Sequence, residues 1–105
     1  ARFEWYAHHK MAMDGGLSPA IAEDVRLGRT PSNMAEDEAA VFRFVSEVQA
    51  TGDVSDEAFN DAKRLFGEKG CAELLGITGY YTAVSFTLNV DRVALPEGVP
   101  DPFPD

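Results

Sequence analysis

Every long segment of this chain carries helical periodicity, and none carries the strict alternation of a strand. The clearest case is Val41, Phe44, Val45 and Val48, an apolar stripe at i, i+3, i+4 and i+7. Glycine, proline and capping residues divide the rest. A first segment from Ala1 to about Asp14 ends at Gly15-Gly16, a C-cap signal, and Ser18-Pro19 then reads as an N-cap with proline at the first helical position. That second helix carries Ile21 and Val25 on one face and should stop at Gly28, with Arg26 in its last turn. After a loop at Thr30-Pro31-Ser32-Asn33, a longer helix should begin near Ala35, with Glu36, Asp37 and Glu38 at its positive end, and finish at Gly52. Ser55 should cap the next helix, whose Phe59, Ala62 and Phe66 face inward. Gly67 and Gly70 separate it from a last helix, Cys71 to about Val90. Pro96, Pro100, Pro102 and Pro104 are four of the six prolines, which makes the end of the chain an extended tail. The expectation is an all-α bundle of about five helices, with a helical domain over residues 1–92 and a proline-rich tail over 93–105.

The 105 residues hold 9 Lys+Arg against 18 Asp+Glu, a formal net charge of −9. That balance argues against a phosphate-tracking nucleic-acid binder and against a polybasic membrane anchor. One cysteine, Cys71, excludes an intrachain disulfide and a CxxC redox pair, so the expected compartment is the reducing cytoplasm. The stretch from Cys71 to Asn89 has Glu73 as its single charge, but glycines, threonines and Ser85 interrupt it. It reads as the buried central helix of a soluble bundle rather than a membrane span. Apolar periodicity is already running at Phe3, with no capping residue ahead of it. A helix that starts this way implies an upstream segment or companion chain, or else a first turn that frays.

Glu4 and His8, four residues apart, stand on one helix face, with Ala12 and Gly16 continuing that face almost without side chains. A carboxylate beside an imidazole is a proton-handling pair, and Trp5 could wall it from water. The same spacing also describes an ordinary surface pair. His9 points off this face and reads as a surface or packing residue. No metal is expected, because a catalytic site needs about three protein ligands and the helix offers two. Tyr80 and Tyr81 are core or pocket-lining residues, and Cys71 is an inert thiol.

The run from Glu4-Trp5-Tyr6-Ala7-His8-His9 through Lys10-Met11-Ala12-Met13 to Asp14-Gly15-Gly16-Leu17 resembles the carboxymuconolactone decarboxylase family, which shares a fold with the AhpD-type alkyl hydroperoxidases. Val54-Ser55-Asp56, Phe66-Gly67, Glu73-Leu74-Leu75, Gly79-Tyr80-Tyr81, Leu88-Asn89 and Leu95-Pro96-Glu97-Gly98 agree in order. The resemblance covers nearly the whole chain, but only the second part of a family member. It implies an AhpD-like helical bundle that forms homo-oligomers, trimers or hexamers, with sites near subunit contacts. The hydroperoxidase motif Cys-x-x-Cys-x-x-x-His, aligned on His8, would put its cysteines at Ala1 and Glu4, and neither is cysteine.

The activity implied by the resemblance is that of a cofactor-independent carboxy-lyase acting on a small carboxylated lactone or related cyclic acid. His8 would donate the proton or stabilise charge, Glu4 would orient His8, and Trp5 and Tyr81 would shape the substrate pocket. A protein at −9 needs local basic groups to hold an anionic substrate, and Arg2 and Arg92 are the candidates. Two alternatives stay open: a peroxidase-related antioxidant protein, and a non-catalytic oligomeric binding protein on the same fold.

Overall fold

The computed structural model describes residues 1–104; Asp105, the last residue of the expected tail, lies outside the described residues. The chain is all-helical, with no strand among the described residues. Its helices are α1 (Arg2–Asp14), α2 (Pro19–Arg26), α3 (Glu36–Thr51) and α4 (Asp56–Val90). Contacts group the chain into two compact units: Met34–Thr82, and Ala1–Asn33 together with the segment from Ala83 on.

The boundaries follow local chemistry. At the end of α1, Leu17 N–H donates to Ala12 O (3.0 Å) and Gly16 N–H to Met13 O (3.1 Å), with Gly16 at φ 94°. This is the paired bonding of a left-handed C-cap, which satisfies carbonyls that the helix leaves open. At the start of α3, Glu38 Oε1 accepts the Ala35 N–H at 2.9 Å, and three acidic residues occupy the positive end of the helix. α4 is broken at Gly67, whose φ of 75° and ψ of 176° are non-helical, so the described residues hold five helical stretches, with limbs at 56–66 and 68–90.

Gly70 is not part of that break. It lies inside the second limb, where an added Cβ would collide with Phe66 Cβ, so this glycine lets Phe66 pass against the helix. The limb therefore starts three residues earlier than the paired glycines suggest.

In the 34–82 unit the core gathers Phe44, Ala62 and Cys71, with Val48, Val54 and Leu74 packed against it. The inward set on the first limb of α4 is only partly as expected. Ala62 is fully buried, while Phe59 and Phe66 are more than a third exposed. The apolar last helix also differs from expectation. On the second limb only Cys71 and Thr78 are buried, and Leu75, Ile77, Tyr80, Phe86 and Val90 are exposed. A helix covered along one side hides one stripe, and the remaining apolar residues of this limb face water.

The turn between α3 and α4 is held by Glu47. Its carboxylate accepts Ser55 N–H (2.9 Å) and Ser55 Oγ–H (3.0 Å), while Ser55 Oγ accepts Ala58 N–H at 3.1 Å, as a helix N-cap does. The Ser55 amide, with help from the Ser55 hydroxyl and Arg43, holds the Glu47 carboxyl below the ordinary glutamate range. A depressed folded-state pKa stabilises at neutral pH, and that contribution is lost as pH falls through it. Ser55→Ala should cost about 1 kcal/mol. Glu47→Gln should lower Tm at pH 7, with the gap to the parent closing in acid. A thermal melt series across pH checks this; a gap that stays constant would disprove the linkage.

In the other unit, residues 93–104 carry no helix and are tied to α1 and α2. Arg2 Nε donates to both Asp101 oxygens (2.9 and 2.8 Å), Arg2 Nη2 to Phe103 O (3.0 Å), and Arg26 Nη1 to Pro102 O (2.7 Å). The Phe103 ring meets Trp5 edge-on at 5.6 Å. The exposed ion pair is screened by solvent and contributes little, and the ring pair adds about 0.5–1.5 kcal/mol, so the tail is held by a sum of small terms. Trp5 is the only tryptophan and reports on this contact. Arg2→Ala and Phe103→Ala should each move its emission to longer wavelength; an unchanged spectrum in both would show that the tail does not cover Trp5.

Candidate functional site

Glu4 and His8 lie on successive turns of α1, a helix with no fully buried residue. The fold brings them together: His8 Nδ1 is 3.3 Å from Glu4 Oε2 and 3.1 Å from the Glu4 backbone oxygen. One ring nitrogen thus faces two acceptors of the same residue. This geometry favours the tautomer with the proton on Nδ1. The Glu4 side chain is 19% exposed and His8 is 43% exposed, so the carboxylate is the more sheltered partner and the imidazole faces outward.

Trp5 does not lie over this pair by ring contact. Its indole stacks on His9 at 5.3 Å with planes 24° apart, and Phe103 meets it edge-on. His9, read as a surface or packing residue, is a stacking partner of Trp5, at the same i,i+4 spacing as Glu4 and His8. Tyr81 belongs to the 34–82 unit, where its ring meets Tyr80 edge-on at 5.1 Å.

The two arginines considered for an anionic substrate share one cleft. Arg2, Phe3, Leu88, Asn89, Arg92 and Val93 line a space of about 390 Å³. Arg92 sits just past α4 with φ 55°, and its N–H donates to Asn89 O at 3.2 Å. Among the described residues Arg92 makes no ion pair, whereas Arg2 is held by Asp101. The Phe103 N–H first and Arg2 second keep the Asp101 carboxyl below the usual aspartate range. Glu4 and His8 do not line this cleft.

Cys71 is buried in the Phe44 core. Among the described residues no group of three or more His, Cys, Asp or Glu could hold a metal ion. No helix of the described residues is long and apolar enough to cross a membrane. No family model, no curated protein and no solved structure matches this chain.

Proposed function

We propose that this chain acts as a cofactor-independent acid–base enzyme of the carboxymuconolactone decarboxylase type, removing CO2 from a small carboxylated lactone or related cyclic acid. The observation that carries the reading is the Glu4–His8 contact, 3.3 Å from carboxylate to Nδ1. The motif resemblance around it and the all-helical chain are consistent with it. Loss of CO2 breaks a carbon–carbon bond and leaves its electron pair on a dienolate-like carbon. A proton must then reach that carbon. His8 in its protonated form gives the proton from Nε2 and recovers one from water. Glu4 is a positioning residue, holding the ring orientation through its contacts with Nδ1. Arg92 offers a guanidinium to a carboxylate in the same unit. The cytoplasm is the compartment we assign, since a lone thiol stays reduced there.

The antioxidant alternative needs a reactive thiolate, and the only cysteine is buried in the core. The non-catalytic alternative draws on the exposed apolar second limb of α4. The deciding experiment measures CO2 release from a panel of small carboxylated lactones by the parent chain and by Glu4→Gln and His8→Ala. Turnover that depends on both residues supports the enzyme; turnover indifferent to both refutes it.

A further inference from the structure

Residues 100–104 read Pro-Asp-Pro-Phe-Pro, and of these only Asp101 and Phe103 carry a backbone N–H. The Phe103 N–H is taken up inside the segment, donating to Asp101 Oδ1 at 2.8 Å. What the segment offers its neighbours is therefore a carboxylate, a row of carbonyl oxygens and one ring. The face that receives it, on α1 and α2, is built in the opposite sense. Arg2 gives Nε to the Asp101 carboxylate and Nη2 to Phe103 O, Arg26 gives Nη1 to Pro102 O, and Trp5 takes the Phe103 ring. Two of the nine basic residues of a chain at net −9 thus converge on three tail residues.

Two parts of that face are held from the body side. Arg26 donates Nε–H to Glu23 Oε2 at 2.8 Å and Nη2–H to Glu23 Oε1 at 2.6 Å, and its Nη1 is the nitrogen that reaches Pro102 O. The Trp5 indole is backed by His9, stacked at 5.3 Å. A guanidinium and an indole fixed in this way keep their places without the tail, so the face is preorganised for a ligand. The segment itself is stiffened by its prolines and loses little freedom on docking. Its hold is also superficial. The Arg2 and Asp101 side chains stay 48% and 42% exposed and Phe103 is half-buried, so the segment can leave without opening a core. None of these contacts requires the segment to be joined to this chain. They are of the kind by which aromatic grooves read extended proline-rich peptides.

We infer that this α1–α2 face is a recognition site for a short segment of another protein with the chemistry Asp-Pro-Phe-Pro, and that residues 101–104 occupy it in cis as a built-in competitor. Arg2 selects the acidic residue, Trp5 the aromatic one, and Arg26 the carbonyl between them. The tether holds the tail at an effective concentration of about millimolar, so an outside segment takes the site only by binding more tightly or by being abundant. The recognition involves no proton transfer and stands independently of the decarboxylase reading.

The test uses the full chain and a peptide of sequence Val-Pro-Asp-Pro-Phe-Pro, amidated at its C-terminus, labelled with fluorescein at its N-terminus and followed by anisotropy. Asp101→Asn and Phe103→Ala in one chain should free the face. That variant should bind the peptide about tenfold more tightly than the parent, as for a site that the tail fills about nine-tenths of the time. Unlabelled peptide should return the Trp5 emission of the freed variant to the parent wavelength. Adding Arg26→Ala should weaken binding about tenfold, the scale of one hydrogen bond from a charged donor. A peptide with alanine in place of phenylalanine should not bind. Circular dichroism should show the parent's helicity in every variant. A freed face that takes no peptide, equal binding by parent and freed variant, binding indifferent to Arg26→Ala, or helicity lost with the tail contacts would each overturn the inference. A parent dimer that free peptide dissociates would make the occupant a second copy's tail and would overturn the assignment to a different protein.

Discussion

Phe44→Ala should lower the stability of the chain by about 3–5 kcal/mol, the usual cost of emptying an aromatic core site. Phe44 is 1% exposed and is the largest side chain buried to that degree. It is packed with Ala62 and Cys71, and Val48, Val54 and Leu74 lie against them. Ala62 and Cys71 are small, so their side chains cannot extend to fill the void. A domain of this size has about 5–15 kcal/mol in total, so one substitution removes a large share. Urea denaturation monitored by circular dichroism should show a lowered midpoint. Phe86→Ala is the control, since Phe86 is 65% exposed and its loss should cost well under 1 kcal/mol. Equal losses from the two would mean that the core is not centred on Phe44.

The Glu4–His8 series should give the largest effect on activity. His8→Ala should lower turnover about 10²-fold or more, the usual scale for an acid–base group. Glu4→Gln should lower it to a similar extent, because a neutral amide is a weaker acceptor for the Nδ1 proton and holds the ring less firmly. The double variant should be little worse than His8→Ala alone, as for residues that act as a unit: without the imidazole, Glu4 has nothing to orient. His9→Ala should be nearly silent on chemistry, because His9 stacks on Trp5 rather than joining the pair. Multiplicative losses from Glu4 and His8, or equal losses from His8 and His9, would defeat the mechanism.

Local signals are legible in this chain, and relations between distant segments are not. Gly15-Gly16, Ser18-Pro19, Gly52 and Ser55 mark helix ends to within about two residues, because each acts through bonds to residues a few positions away. The proximity of Glu4 and His8 is legible for the same reason, since both sit on one helix and its pitch sets their spacing. Gly70 looks like a second break and is not one. Its role depends on where Phe66 points, and the composition of the turn does not reveal that. The exposure of Ile77 and Tyr80 is hidden too, because apolar residues on every side of a helix do not say which neighbours will cover them. Trp5, beside Glu4 in sequence, suggests a shelter for the Glu4–His8 pair. Its contact with Phe103, at the far end of the chain, depends on how the tail docks, which no window of the sequence encodes.

Gly67 has a consequence at the level of inheritance. Its φ of 75° with ψ of 176° lies in a region that essentially only glycine enters, and a Cβ there would touch nothing within 4 Å. Every base change that alters the meaning of a glycine codon either ends the chain or adds a side chain. None of the resulting residues can hold this turn without strain of about 1–3 kcal/mol. Under selection, Gly67 should therefore tolerate substitution far less well than an ordinary exposed position, although its own side-chain position is empty space. A scan of tolerated variants would rank it with the core, and a reader of that scan alone would assign it packing contacts that it does not make.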